Sequence, residues 1–316
     1  KIEIRKIMKK SIELVIPLFN EYECIDELVN RLENVVSELN KLELKTKIIF
    51  VDDGSEENFK QILSSYSKKS PHIEVLNLTR NFGHQAALRA GIDSTSSDAV
   101  VMLDGDLQDP PELIIDMVSK WKGGADCVSG VRNLRKKESY FKKIIANVFY
   151  RIFDRNSDFK STRNSGDFKL ISKWMVDEIK IVTEHNLYLR GFIDWLGGIN
   201  EKVFYDRDER FGGERRYKYR QSYKVAINGL VSLSDFFPKI LNRIFIFSTI
   251  GIIFIISWII ITYLLFPDNL VQGWSSLIMT ILLVLILQSS SFIFLSYYIK
   301  KILDQTSGRK NYQTKK

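Results

Sequence analysis

The chain has 316 residues, of which 45% are hydrophobic and 27% charged, and its formal net charge is +8. These proportions allow a packed core, and the positive balance points to a nucleic acid, an anionic membrane surface or a phosphorylated substrate as partner. The two cysteines lie far apart and outside any CxxC pattern, which argues against a disulfide framework or a thiolate metal site and favours a reducing compartment.

Short apolar segments alternate with amphipathic ones along the first part of the chain. The apolar segments predict buried strands, and the segments with helical periodicity predict helices between them. The predicted strands cover 13–19, 47–53, 73–78, 99–104 and 127–131. The predicted helices cover 25–39, 59–66 and 85–92, and a fourth begins at Pro110 and Pro111. This order predicts an α/β fold with a doubly wound, mainly parallel, Rossmann-like sheet.

Polar motifs stand at the ends of four predicted strands. PLFNE follows the first strand, DDGS closes the second, TRNFGH follows the third and DGDLQD closes the fourth. In open parallel sheets, ligands bind beyond the carboxyl ends of the strands, near the switch in strand order. Neither GxGxxG nor GxxxxGK[ST] occurs, so a nucleotide's phosphates would need another partner. The motifs predict a nucleotide-type site.

The motif DGDLQD is a candidate metal site. A calcium loop would need glycine at its sixth position and glutamate at its twelfth, where Asp109 and Ile115 stand instead. An Asp-x-Asp site remains, in which Mg²⁺ or Mn²⁺ completes its shell with substrate phosphates. Its predicted ligands are Asp104, Asp106 and Gln108.

Asp109 receives a different role. It directly precedes two prolines, and capping preferences predict that it caps the helix they begin.

Two long apolar runs follow the α/β part. The run 244–266 contains no charged residue, and the run 277–298 has Gln288 as its one strongly polar side chain beside three serines. Each is long enough to cross a hydrocarbon core of roughly 30 Å as a helix. Basic residues flank the pair, and the connector has none. The positive-inside rule therefore predicts an integral protein of the inner membrane, with both ends in the cytoplasm.

The predicted domains follow from these runs. A cytoplasmic catalytic domain would cover 1–218, an amphipathic helix at the membrane interface 219–238, and a transmembrane hairpin with a basic tail 239–316. A helix packed on the soluble domain is an equally good interpretation of the amphipathic segment. The serine-lined hairpin also allows association into a homo-oligomer.

The motifs VIPLFNE, VDDGS, RNFGHQAALRAG, DGDLQDPPE, SGDFKL, RGFIDWLGG and RDERFGG occur in that order. The ordered set resembles the family 2 glycosyltransferases with the GT-A fold, and is similar to the bactoprenol glucosyl transferases and dolichyl-phosphate mannose synthases. The sequence departs from the family pattern at Gly105, where alanine is common, and at Lys169, where arginine is common. Any bidentate contact that arginine makes there would change.

The resemblance implies roles for individual residues. Asp167, in SGDFK, matches the proposed catalytic carboxylate. The implied residues around the nucleotide sugar are Pro17, Asn20, Glu21, Asp52, Asp53, Gly83, Asp104 and Gly105. His84 is expected either to cap a helix or to contact the diphosphate.

These features predict inverting transfer of a hexose, glucose by the resemblance, from a UDP-sugar to polyprenyl (undecaprenyl) phosphate on the cytoplasmic membrane face. The product would be a sugar donor for the cell envelope. A metal ion would stabilise the departing diphosphate. Asp167 would either take a proton or stabilise positive charge at the sugar. Arginine forks suit the acceptor phosphate, and the candidates are Arg132, Arg135, Arg207 and Arg210.

Two other functions remain open. A processive polysaccharide synthase would normally carry more spans and a QxxRW motif, and the sequence has neither. A non-catalytic membrane sensor of nucleotide sugars would bind its ligand without turnover. Nucleic-acid binding is disfavoured, because the basic residues cluster at the membrane flanks and near the predicted acceptor loop.

Overall fold

A computed structural model of the chain describes residues 10–133, 165–182, 187–206 and 312–315 continuously. It also describes separate residues between 151 and 162 and between 239 and 306. The chain divides into two compact units, one formed by Lys1–Leu233 with Lys310–Lys316 and the other by Ser234–Arg309.

The described part of the first unit contains seven strands and six α-helices. The strands are β1 (Ser11–Leu18), β2 (Lys45–Asp52), β3 (Ile73–Asn77), β4 (Ala99–Met102), β5 (Cys127–Arg132), β6 (Ser165–Ser172) and β7 (Asn200–Tyr205). The helices are α1 (Ile25–Lys41), α2 (Glu57–Lys69), α3 (His84–Ser94), α4 (Ile114–Lys122), α5 (Lys173–Ile181) and α6 (Leu189–Leu196). A short 3-10 helix, Pro111–Leu113, precedes α4.

The strands form one sheet in the order β3-β2-β1-β4-β6-β5-β7. β1 is parallel to β2 and β4, β2 to β3, and β5 to β7, whereas β6 runs antiparallel to β4 and β5. The prediction of a mainly parallel α/β sheet is confirmed. The strand order changes direction between β1 and β4, and in open α/β sheets this is the position at which ligands bind, beyond the carboxyl ends of the strands.

Each face of the sheet packs against helices, and alternation along the strands assigns side chains to the two faces. The first core includes Leu14 and Ile16 of β1 together with apolar residues of α1, α2 and α4. The second core includes Val15, whose neighbours come from α3, α5 and α6. Gly91 lets α3 approach the sheet closely, because a Cβ there would lie 2.2 Å from Cγ1 of Val15.

The C-terminal residues return to the edge of the sheet. Leu78 and Thr314 form an antiparallel bridge beyond β3. The amide of Thr79 donates to the carbonyl of Gln313 at 2.9 Å. The hydroxyl of Tyr312 donates to Asp93 of α3 at 2.9 Å. The edge strand β3 is thus partly covered by this chain's own tail, which limits pairing with another strand there.

The predicted interface helix 219–238 lies outside the described residues, as do many residues of the predicted spans. The residues that are described within 244–266 and 277–298 are helical. Across the part of the chain that is described, we find no helix that combines the length and the apolar character needed to cross a membrane. The two spans stay a prediction.

Candidate active site

Polar groups beyond β1 and β2 bind one another. The amide of Asn20 donates to Oγ of Ser55 at 3.0 Å, and the amide of Glu56 donates to Oδ1 of Asn20 at 2.9 Å. The amide of Ser55 donates to Oδ1 of Asp52 at 3.0 Å. Oδ2 of Asp52 is buried and has no hydrogen-bond partner among the described residues. Because a buried carboxylate oxygen needs a donor, Asp52 is suited to receive one from a ligand.

Asp53 has a different task from its neighbour. Its two carboxylate oxygens accept from the amides of Phe82 at 2.7 Å and Gly83 at 2.9 Å. Gly54 has a φ of +71°, and a Cβ on it would lie 2.3 Å from the backbone carbon of Arg80. Only glycine fits there without displacing the chain. The motif DDGS therefore fixes the loop that leads from β3 into α3.

That loop brings His84, the first residue of α3, into a cluster with two carboxylates. Nε2 of His84 lies 3.3 Å from Oδ1 of Asp104 and 3.1 Å from Oδ2 of Asp167. The amide nitrogen of Gln85 donates to the same Asp167 oxygen at 3.1 Å. The residues His84, Asp104 and Asp167, which we call the His84 cluster, each offer one ligand atom, and these atoms lie within 4.8 Å of one another.

Asp167 stands where the strand ladder is irregular. Ser129 pairs with Lys169 and Val131 with Ser165, so β6 has extra residues between these two pairs. Such bulges re-aim side chains and are common beside active sites. Asp167 thereby reaches α3, although β4 separates β6 from β1 in the sheet.

The electrostatics of the His84 cluster follow from its burial. Burial alone would lower the pKa of His84, but the charges of Asp104 and Asp167 outweigh it and raise the pKa to about 9. Burial raises the pKa of Asp104 to about 6, against the opposing effect of His84. Burial also acts to raise the pKa of Asp167, but His84 and Arg190 outweigh it and hold it well below its usual range. A cation between the two carboxylates therefore stabilises both charges.

The cluster fits a divalent metal ion. Oδ1 of Asp104 and Oδ1 of Asp167 are buried and make no hydrogen bond of good geometry among the described residues, although Nε2 of His84 lies 3.3 Å from Oδ1 of Asp104. Two such carboxylate oxygens are the ligands that Mg²⁺ and Mn²⁺ prefer. The imidazole of His84 is a further ligand when it is neutral. When His84 is protonated, its positive charge offsets the repulsion between the carboxylates of Asp104 and Asp167.

The predicted metal ligands are only partly brought together. Asp104 belongs to the His84 cluster, whereas Asp106 accepts from the amide of Gln108 at 3.2 Å in a tight turn. Leu107, inside that turn, is buried and has a φ of 57°, a conformation that costs roughly 1–3 kcal/mol for a residue other than glycine. Ligation by Asp106 and Gln108 stays a prediction.

The predicted cap at Asp109 is wrong. Asp109 is fully buried and provides no side-chain cap for the helix that follows. It instead accepts from Arg132 at 3.0 Å and from the hydroxyl of Tyr205 at 2.6 Å. The sequence separations of 23 and 96 residues explain why local capping preferences missed these partners. These donors offset the free-energy cost of burying the Asp109 side chain.

Arg132 therefore has a structural partner, and its predicted role at the acceptor phosphate stays a prediction. Its guanidinium also donates to Tyr205 at 3.2 Å. It lies against Gly166, where a Cβ would be 2.5 Å from Nη2 of Arg132. Arg132 thus stands next to Asp167 in space, and its charge helps to lower the pKa of that carboxylate.

One arginine near Asp167 was missed from the sequence. Arg190 is the second residue of α6, donates to the carbonyl of Ser165 at 3.3 Å and lies over the ring of Tyr188. The motif RGFIDWLGG contains it, but nothing local indicates that α6 packs beside β6. The candidates Arg135, Arg207 and Arg210 lie outside the described residues.

The other predicted nucleotide-site residues surround the same strand ends. Pro17 is buried in β1, and Glu21 lies just beyond that strand. Gly105 follows β4, and a Cβ there would lie 2.4 Å from Cδ2 of Leu18. An alanine at this position would need Leu18 to move. Gly83, with a φ of 97°, adapts the loop to the start of α3.

Comparison with known proteins identifies the class to which this fold and site belong. Residues 13–180 match the family described as glycosyl transferase family 2. The chain belongs to glycosyl transferase family 2.

Similar relatives extend along nearly the whole chain. The uncharacterized glycosyltransferase YkcC of Bacillus subtilis is 35% identical over 96% of this chain and 93% of its own length. The SfII prophage-derived bactoprenol glucosyl transferase of Shigella flexneri is 35% identical over 97% of this chain and 98% of its own. A solved glucosyl-3-phosphoglycerate synthase of Mycobacterium tuberculosis, with Mn²⁺, UDP and phosphoglyceric acid, covers 69% of this chain and 75% of its own at 15% identity and a TM-score of 0.47.

Proposed function

We propose that this chain transfers glucose from UDP-glucose to a polyprenyl phosphate at the cytoplasmic face of a membrane. The observation that carries the proposal is the His84 cluster, in which two buried carboxylates converge on one histidine and Oδ1 of Asp167 has no hydrogen-bond partner among the described residues. Relatives named bactoprenol glucosyl transferase, similar along nearly the full chain, support the choice of sugar and acceptor. The apolar runs 244–266 and 277–298 suit a lipid acceptor.

Donor binding in this proposal uses the ends of β1, β2 and β4. Asp52 accepts a hydrogen bond from the nucleoside through its free buried oxygen. Asp53 holds the loop before α3 and acts on the donor through that loop. Asp104 and Asp167 would hold Mg²⁺ or Mn²⁺. Asp106 and Gln108, which follow closely after Asp104 in the sequence, are the predicted additional ligands. The bound ion supplies Lewis-acid stabilisation for the negative charge of the departing diphosphate.

The reaction is a single displacement. An anionic oxygen of the acceptor phosphate attacks C1 of the glucose, the C1–O bond to UDP breaks, and its electron pair leaves with UDP. One bond forms as one breaks, so the configuration at C1 inverts. A phosphate monoester has a second pKa of about 6, so its oxygen already carries the charge and no base is required.

Asp167 therefore acts through its charge. His84 and Arg190 overcome the effect of burial and keep the pKa of Asp167 below its usual range, whereas an efficient general base has a pKa near the working pH. An anionic carboxylate near C1 stabilises the positive charge that develops on the sugar ring. Arg132 and Arg190 flank this carboxylate and supply cations on the side where an acceptor phosphate would approach.

The proposal is tested by incubating membranes that contain the full chain with a panel of radiolabelled UDP-sugars and extracting the lipid. Label from UDP-glucose should enter a lipid that carries one glucose per phosphate. The other UDP-sugars should give little labelled lipid. A polymeric product would support the processive synthase. Tight binding of UDP-glucose with no labelled lipid would support the sensor and reject transfer.

A further inference from the structure

A buried ion pair lies behind Asp167. Lys169, two residues further along β6, is fully buried, and its Nζ donates to Oδ1 of Asp194 at 2.8 Å and to Oγ of Ser129 at 3.0 Å. The Asp194 side chain is only 3% exposed. Replacing such a pair by apolar residues of similar volume is often neutral or stabilising, so its presence alone is weak evidence of a role in stability.

Asp194 ties three segments together. It belongs to α6 and accepts from Lys169 of β6, which in turn donates to Ser129 of β5. It also accepts from the amide of Thr162 at 2.7 Å and from the hydroxyl of Thr162 at 3.3 Å. Thr162 lies just before the strand that carries Asp167. The pair therefore fixes α6 relative to both β6 and the segment that enters it.

Side-chain directions place Lys169 and Asp167 beside the same layer of helices. Phe168 packs in the first core, whereas Ile171, two residues beyond Lys169, packs in the second core with residues of α6. Asp167 contacts α3, which packs on the same face. Alternation along a strand thus sets Lys169 and Asp167 toward α3 and α6.

The distance between the two charged residues of β6 matches the distance between the two charged residues of α6. Asp167 and Lys169 are separated by two strand residues, about 6–7 Å. Arg190 and Asp194 are separated by four helical residues, about 6 Å, and lie on one face of α6. When Asp194 is bound to Lys169, Arg190 is therefore brought level with Asp167. The contact of Arg190 with Ser165 at 3.3 Å agrees with this placement.

We propose that Lys169 and Asp194 form a positioning pair, which sets the register of α6 on β6 and holds the Arg190 guanidinium beside Asp167. The pair does not touch the substrate, and its effect on catalysis passes through Arg190. This inference rests on the proposed function, because the reaction supplies the measurement. It gives Lys169, where the family pattern commonly has arginine, a defined contact in this chain.

The test combines a charge-free pair with a variant of Arg190. The double variant Lys169→Met with Asp194→Leu removes both charges and keeps the volume. We expect it to fold and to bind UDP with a Kd within about threefold of the wild type. Its kcat for glucolipid formation should fall by about 100-fold, the loss that a displacement of about 1 Å can cause. The matched control, Lys120→Met with Glu201→Leu, removes an exposed pair between α4 and β7 and should leave kcat unchanged.

Non-additivity distinguishes positioning from a general loss of stability. The triple variant combines Arg190→Met with the double variant. If the pair acts through Arg190, the kcat of the triple variant should lie within about threefold of the kcat of Arg190→Met alone. Independent losses that multiply would overturn the proposal, and so would wild-type kcat in the double variant.

If the double variant does not fold, Asp194→Glu decides the question. It keeps the charge and lengthens the side chain by one methylene. A tenfold or greater loss of kcat with unchanged UDP affinity supports positioning, and wild-type kcat contradicts it. A wild-type chain that forms no glucolipid would instead reject the proposed function.

Discussion

His84 should make the stability of the metal-free protein depend on pH between about 6.5 and 9. The cluster raises the pKa of His84 from 6.5 to about 9 against the effect of burial. A raised pKa means that the folded state binds the proton more tightly than the unfolded state. The stabilisation is therefore complete below pH 6.5 and is lost as the pH rises to 9. Each pKa unit of this shift corresponds to about 1.4 kcal/mol of stability. Because 21% of the His84 side chain is exposed to solvent, which weakens the interaction, we take about 3 kcal/mol as the upper limit of the stabilisation.

The assay is thermal unfolding of the full chain in detergent with EDTA, at pH values from 6 to 9.5. Asp167 titrates below this window because its pKa is lowered, whereas Asp104, with a pKa of about 6, titrates at the acid end of the window, so the loss is measured above about pH 7. A loss of about 3 kcal/mol lowers Tm by roughly 6–12 °C for a domain of this size. The His84→Gln variant should lose most of this dependence. Equal pH dependence in the variant and the wild type would refute the reasoning.

Three further predictions concern residues around the site. Asp109→Asn should lower the free energy of unfolding by about 3–5 kcal/mol in denaturant titrations, because it leaves the Arg132 charge without its buried partner; a loss below 1 kcal/mol would contradict this. Gly54→Ala should weaken UDP binding at least tenfold by calorimetry, since its Cβ would displace the loop at Arg80, and unchanged affinity would show that the loop does not serve the donor. Gly105→Ala should cost about 1 kcal/mol of stability by crowding Leu18; adding Leu18→Val should restore it, and additive losses would count against crowding.

The sheet was predictable because its signal is local and periodic. Each predicted parallel strand appears within a few residues of its expected bounds, and the predicted order of strand and helix is observed. The predicted helix beginning at Pro110 and Pro111 starts as a 3-10 turn at Pro111 before α4. The carboxyl ends of parallel strands meet by topology, so Asp52 and Asp104 could be placed in one crevice before any contact was known.

The partners of individual side chains were not predictable in the same way. His84 meets Asp167 across 83 residues of sequence, and Asp109 meets Tyr205 across 96. Such contacts depend on how β6 and β7 join the sheet. The antiparallel direction of β6 has no local signal. Arg190 was missed for the same reason, since its role depends on the docking of α6.

The measurement that tests the central claim most directly compares the wild type with Asp167→Asn in a single turnover. Each protein is mixed with radiolabelled UDP-glucose, Mn²⁺ and polyprenyl phosphate, and the labelled lipid is quantified beside the donor bound. We expect the wild type to form glucolipid, and Asp167→Asn to bind UDP-glucose within about tenfold of the wild-type affinity while transfer falls by at least about 1,000-fold. Glucolipid formation at the wild-type rate in Asp167→Asn would contradict the assignment of the His84 cluster as the catalytic site.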